Sequence, residues 1–188
     1  LMRRLHGDIM ILGAGGKVGP TLALMAARAV RESGKNRRVI AVDRFSRAPV
    51  RRLVESAGVE TLAGDFLDPG FISSLPHTEN ILYLVGRKFG IVGSESLTWM
   101  INSVVPDHVC RAFPGSRIVA FSTGCVYSLV APESGGSRED DAPCPVGEYA
   151  NSCLARERVF EHHSNSSGTR VLIYRLNYAL ELRYGVLV

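Results

Sequence analysis

The chain has 188 residues, 46% of them hydrophobic, which suffices for one buried core and argues for a single domain over 1–188. Its formal charge of +4 is uneven: residues 1–52 hold twelve Lys or Arg against three acids, and the rest is net negative. No run nears 18 apolar residues, residues 1–7 lack a signal-peptide core, and the basic half has no interleaved aromatics, so neither a membrane nor a nucleic acid is expected as partner.

In chain order, Ile9–Leu12 is a short apolar run that reads as a buried strand. Leu22, Leu24, Met25, Ala26 and Val30 read as a helix packed behind it. Gly13, Gly16 and Gly19 stand between, three residues apart. They permit a tight turn, a backbone that approaches a pyrophosphate, and close contact of helix and strand. Gly16, Lys17, Val18 and Gly19 form the helix entrance, where free N–H groups and the dipole favour phosphate. A triphosphatase loop is excluded, because Val18 follows Gly16-Lys17 and Ile11 stands where the first glycine of that motif belongs.

Residues 38–43 form a second apolar run that ends in Asp43, 24 residues after Gly19. That offset suits an acid that accepts hydrogen bonds from ribose hydroxyls. Its charge would repel a 2′-phosphate, which favours NAD over NADP. Arg44 and Arg47 beside it are the residue type that accommodates that phosphate, so NADP stays open.

A short helix over 49–57 follows, closed by Gly58, then strands over 59–63 and 80–86, the latter ending in Val85 and Gly86. A long helix is predicted over 94–113, a fifth strand over 117–123, a polar loop over 132–147, a helix over about 148–163 and a sixth strand over 169–176. His162 and His163 fall after that last helix, in a surface turn. The cysteines Cys110, Cys125, Cys144 and Cys153 show neither C-x-x-C nor metal-ligand spacing, which predicts reduced thiols, a cytoplasmic location and no metal site. Alternating strands and helices predict an α/β fold: a doubly wound parallel sheet (Rossmann-type) in three αβα layers. Ligands then bind beyond the carboxyl ends, at the loops after Leu12, Val42, Ala63, Val85 and Thr123.

With these motifs in order, the chain resembles the extended short-chain dehydrogenase/reductase group, which includes NAD-dependent epimerases and dehydratases of nucleotide sugars. Gly13, Gly16 and Gly19 match its glycine motif and Asp43 its ribose acid. Gly64-Asp65-Phe66-Leu67-Asp68 is similar to its G-D-x-x-D segment, which implies an adenine contact for Asp65. Asn102 matches a helix asparagine that supports the active site. Residues 121–127 resemble the S-[ST]-x-x-V-Y stretch, which implies that Thr123 is the catalytic hydroxyl. Tyr149, 26 residues later, stands where the catalytic tyrosine begins Y-x-x-x-K. Residues 175–178 resemble the Arg…Asn segment leading to the substrate site. The resemblance also implies a homodimer joined through the helices that begin near Ser94 and Glu148.

Two departures stand out. Cys153 occupies the lysine position, although that ammonium is what draws the tyrosine pKa from near 10 towards neutrality. Three units of lost tuning are worth roughly 4 kcal/mol. Of the other lysines, Lys88 lies on the carboxyl edge, and two readings stay open: Lys88 or Arg87 lends positive charge to Tyr149 or to the substrate, or Lys88 is a solvated loop lysine; Arg156 is a further helical turn away. The chain also ends about a dozen residues past Leu176, so residues 177–188 read as the start of a substrate-binding region that is truncated or absent, with an apolar tail from Leu180 to Val188. Two functions stay open: an NAD(P)-dependent epimerase, dehydratase or oxidoreductase acting on a sugar or sugar nucleotide, and an NAD(P)-binding sensor or scaffold module with weak or no catalysis.

Overall fold

A computed structural model describes residues 2–179. Six parallel strands form one sheet in the order β3-β2-β1-β4-β5-β6. They are β1 (Ile9–Leu12), β2 (Val39–Asp43), β3 (Glu60–Ala63), β4 (Asn80–Tyr83), β5 (Arg117–Thr123) and β6 (Arg170–Leu176). The chain winds outward from β1 in both directions, so β1 and β4 flank the point where the strand order reverses. Leu12 is in register with Val42 on one side and Tyr83 on the other, which lines up their carboxyl ends along one edge.

Alternation along β1 divides the core in two. Ile9 and Ile11 pack with Ala23, Ala26, Ala27 and Val30 of α1 (Gly19–Ser33). Met10 and Leu12 pack on the other face with Val105, Val109 and Phe160. The buried stripe of α1 is therefore mainly alanine, and Met25, expected inside, is exposed; small side chains let the helix lie close to the strands. The helix α2 (Ala48–Glu55) follows β2. A further helix, α3 (Pro69–Ser74), had no expected counterpart; Asp68 caps it by accepting from Gly70 N at 2.8 Å, with Pro69 at its first position.

The predicted long helix over 94–113 is broken into three parts. α4 (Glu95–Trp99) passes into a π-helical turn (Met100–Val104) and then into α5 (Val105–Ala112). Pro106 has no N–H for the carbonyl of Asn102, and the Val105 amide reaches back five residues to Met100 O. α6 (Gly147–Ser167) runs past its predicted end, because the Ser166 and Ser167 hydroxyls bond the carbonyls of His162 and His163 and Gly168, at φ 68°, closes it. His163 is thus buried in a helix rather than a surface turn, its Nε2 2.8 Å from Asp107 Oδ1. Many arginines of the basic half are engaged locally, Arg28 with Glu32, Arg38 with Asp8 and Arg51 with Glu55, as a solvated face requires. The expected apolar tail from Leu180 onward lies outside the described residues.

Candidate functional site

A cavity opens at the switch point, over the ends of β1, β2 and β4. Gly13, Gly16, Asp43, Arg44, Asp65, Phe66, Val85 and Gly86, all expected there, line it together with Ser46, Leu67, Leu84 and Ile101. Lys17, Val18 and Gly19 do not line this cavity; they form the entrance to α1 beside it.

The three glycines serve different ends. Gly13 has φ 86°, and a Cβ there would come within 2.8 Å of the Leu84–Val85 backbone. At Gly19 a Cβ would overlap the Ala14 backbone, so this glycine lets the helix start against the strand. At Gly16 the nearest atom to a Cβ would be Gly13 O at 3.5 Å, an ordinary contact. The backbone at Gly16 is therefore open on its outer side, as a phosphate-approaching surface must be. Among the described residues, the amides of Gly15, Lys17 and Val18 donate to no backbone carbonyl, and the first turn of α1 holds no acid. That leaves both N–H donors and an uncompensated dipole facing the cavity mouth.

Asp43 closes β2. Its Oδ1 accepts from Phe45 N at 3.0 Å, in a turn that places Phe45 at φ 48° and buries its ring. A left-handed aromatic residue carries strain, here beside the carboxylate that it helps to aim. Gly15, which the sequence reading passed over, packs against Asp43 so closely that any side chain would strike the carboxylate. Arg47 donates to Gly15 O at 3.3 Å, while Arg44 stands exposed on the cavity rim. Asp65 is held by its own turn, accepting from Leu67 N at 2.9 Å.

The two residues expected to act as acid and base come from two elements. Thr123, at the end of β5, is buried; its hydroxyl accepts from Cys125 N at 3.1 Å, and its side chain is near enough to the Tyr149 phenol of α6 to lower it. Burial pushes that phenol up to about 12, and the neighbouring Cys153 adds to the rise; Thr123 and the Arg156 charge pull it back. Cys153 is itself fully buried, and its thiol is raised mainly by burial. The exposed Lys88 ammonium lies 5.4 Å from the centre of the Tyr149 ring, so the loop after β4 does bring a cation to the tyrosine. Phe89 in that loop also lies 5.2 Å from the Lys17 ammonium, which links the loop to the start of α1.

Asn102 sits in the π-helical turn with no exposed surface, where its side chain holds its neighbours. It donates to Arg87 O at 3.1 Å and to Ser152 Oγ at 2.9 Å, and accepts from Arg87 N at 2.9 Å. Arg156, which the sequence reading left a turn too far off, reaches Asn102 as well. Its spacing of seven residues from Tyr149 was the available signal.

Beside this cavity a wider groove of about 690 Å³ runs past Gly124, Tyr127, Arg138, Arg175, Asn177 and Tyr178. Arg175 is tied down in its wall by the buried Glu157 through Nη2–Oε2 at 2.8 Å, and by a hydrogen bond to the Tyr127 hydroxyl. Asn177 packs on Gly124, where a Cβ would overlap its side chain.

Among the described residues no helix is long and apolar enough to cross a membrane, and no cluster of His, Cys, Asp or Glu could hold a metal. The fold is that of dTDP-glucose 4,6-dehydratase from Streptomyces venezuelae, crystallised with NAD (TM-score 0.78, 18% identity, 89% of this chain and 55% of that one). It is also that of UDP-glucose 4-epimerase from Thermus thermophilus in complex with NAD (TM-score 0.75, 20% identity, 89% and 54%). A short-chain dehydrogenase/reductase superfamily protein from Agrobacterium tumefaciens with bound NAD is similar too (TM-score 0.70, 23% identity, 89% and 48%). The chain thus spans about half the length of these structures. No curated protein matches it. Residues 9–179, most of this chain, match a family model, and the chain belongs to that family: the NAD-dependent epimerase/dehydratase family.

Proposed function

We propose that this chain is the cofactor-binding and acid–base half of an NAD-dependent epimerase, dehydratase or related oxidoreductase acting on a sugar or nucleotide sugar. The observation that carries this reading is the loop after β4: its Val85 and Gly86 line the cavity that also holds Asp43 and the glycine turn, and its Lys88 lies 5.4 Å from the centre of the Tyr149 ring.

The residues present fit the dinucleotide. Gly16 leaves space that a Cβ would narrow, the amides of Gly15, Lys17 and Val18 are free to receive phosphate oxygens, and Asp43 offers carboxylate oxygens to a ribose. Asp65 and Phe66 would border the adenine, and Val85 and Gly86 the nicotinamide end. When bound, NAD supplies the hydride acceptor and donor. Tyr149 exchanges a proton with a substrate hydroxyl, and Thr123 hydrogen-bonds the same oxygen, which fixes the proton path. Lys88, over the Tyr149 ring, favours the phenolate that a base requires. The groove beyond Gly124 is where the sugar would lie, with Asn177 on its wall. The exposed Trp99 and Met100 on α4 and its π-helical turn, facing outward near Glu148, support a homodimer through these helices. The free thiols fit a reducing cytoplasm.

One observation favours a second reading, an NAD(P)-binding module with weak chemistry: burial holds the Tyr149 phenol well above neutrality, and Cys153 in the lysine position brings no positive charge to lower it. A fluorescence titration with NADH and NADPH, followed by turnover of the wild type against Tyr149→Phe on nucleotide sugars, separates the two. Binding of NADH with a turnover that collapses in Tyr149→Phe supports the enzyme. Binding with no turnover, regained in Cys153→Lys, supports the module. No binding of either nucleotide removes both.

A further inference from the structure

Three contacts in a row join the entrance of α1 to Tyr149. The Lys17 ammonium lies 5.2 Å from the centre of the Phe89 ring, and the Lys88 ammonium lies 6.0 Å from the same ring. Lys88 in turn lies 5.4 Å from the centre of the Tyr149 ring. Phe89 is 70% exposed, yet the loop that carries it is braced. Asn102 holds both backbone polar groups of Arg87, whose Nη2 donates to Gly90 O at 2.6 Å, and Ser94 N donates to Ile91 O at 2.7 Å. Gly90, at φ 67°, permits the turn after Phe89. The base of this loop, Val85 and Gly86, lines the cavity wall, so the loop passes from that wall to the side chain next to Gly16.

The charges along the row are unbalanced. Both ammoniums are exposed and, among the described residues, neither pairs with a carboxylate. Two like charges on one ring repel each other, and the first turn of α1 adds free N–H groups without an acid. An anion at the helix entrance offsets all of these. We propose that Phe89 is a positioning residue for the dinucleotide: with Lys17 and Lys88 on its ring it forms a clasp from the helix entrance to Tyr149, which retains the diphosphate against the glycine turn. The inference rests on reading the cavity as the dinucleotide site. The ring need not touch the nucleotide. It holds two flexible ammoniums in place, so that less side-chain freedom is lost on binding. Its removal therefore shows mainly in the rate of release.

The test pairs stopped-flow dissociation of NADH with NMR of the nucleotide-free protein carrying carbon-13 at the lysine ε position. The chain has three lysines, so Lys17 and Lys88 are read against Lys35, exposed in the loop after α1. In the wild type the Lys17 ε protons should stand upfield of those of Lys35, shielded by the Phe89 ring. Phe89→Leu should bring them to the Lys35 position and speed NADH release about three- to tenfold, with the thermal midpoint unchanged because the ring is exposed. Phe89→Tyr keeps the ring face and should restore both readings. A Leu variant that releases NADH at the wild-type rate overturns the inference, and so does a Tyr variant that releases it as fast as Leu. Wild-type Lys17 protons indistinguishable from those of Lys35 overturn it without any variant. A protein that binds no NADH refutes the proposed function and the role of the clasp with it. NADH binding with a rate unmoved by Phe89→Leu refutes the clasp alone.

Discussion

Asn102 and Arg87 bind each other in both directions: the Asn102 amide donates to Arg87 O at 3.1 Å, and Arg87 N donates to Asn102 Oδ1 at 2.9 Å. A side chain of the π-helical turn therefore stands in for a β-strand neighbour just where β4 ends, and it holds the loop that carries Gly86 and Lys88. Asn102→Ala leaves the Arg87 amide and the Arg156 guanidinium short of an acceptor in a buried place. It should cost about 2–4 kcal/mol in urea unfolding and weaken NADH binding along with it.

Gly16 and Gly19 separate binding from folding. Gly16→Ala meets no protein atom closer than ordinary contact, so the denaturation midpoint should hold while NADH affinity falls at least about tenfold. Gly19→Ala drives a methyl group into the Ala14 backbone and should destabilise the protein by roughly 1–3 kcal/mol. Fluorescence titration and thermal melting on the two variants check both statements.

On the proposed reading, Asp43 is the residue expected to set the preference between the two nucleotides. Asp43→Ser removes the charge that repels a 2′-phosphate and leaves Arg44 and Arg47 on the rim. NADH affinity should fall, NADPH affinity should rise, and their ratio should shift by about tenfold or more.

A base acts only when deprotonated, and the Tyr149 phenol is held above its usual value, at about 12. The phenolate fraction then grows with pH throughout the range below that value. In the alcohol-oxidising direction, kcat/KM should climb about tenfold per pH unit from about pH 7 to about pH 10, without a plateau near neutrality. Tyr149→Phe should remove roughly a hundredfold to ten-thousandfold of the rate and flatten the profile. Lys88→Ala should cost only about two- to fivefold, the worth of an exposed cation over a ring.

Glu157 has no exposed side-chain surface and binds Arg175 through both oxygens, with the Ser122 hydroxyl donating to Oε1. Glu157→Gln strips the charge from a buried pair that ties α6 to β6. A loss of about 3–5 kcal/mol in chemical denaturation is expected.

The amino-acid sequence by itself determined the six strands and most of the helices between them, the glycine turn, and Asp43, Thr123 and Tyr149 as candidates at the carboxyl edge. Each is a local pattern, an apolar run or a fixed spacing, and the parallel sheet that follows from such runs forces their carboxyl ends to one edge. Only the tertiary structure decided what surrounds Tyr149 and Asn102. Lys88 and Arg156 lie 61 residues back and seven residues on in the chain, and neither distance reveals which side chain turns inward. Pro106 was readable as a helix breaker, but not that its missing N–H would hand a carbonyl to Arg156. Charges act through space and through the dielectric between them, and both are properties of the packed chain rather than of the order of its residues.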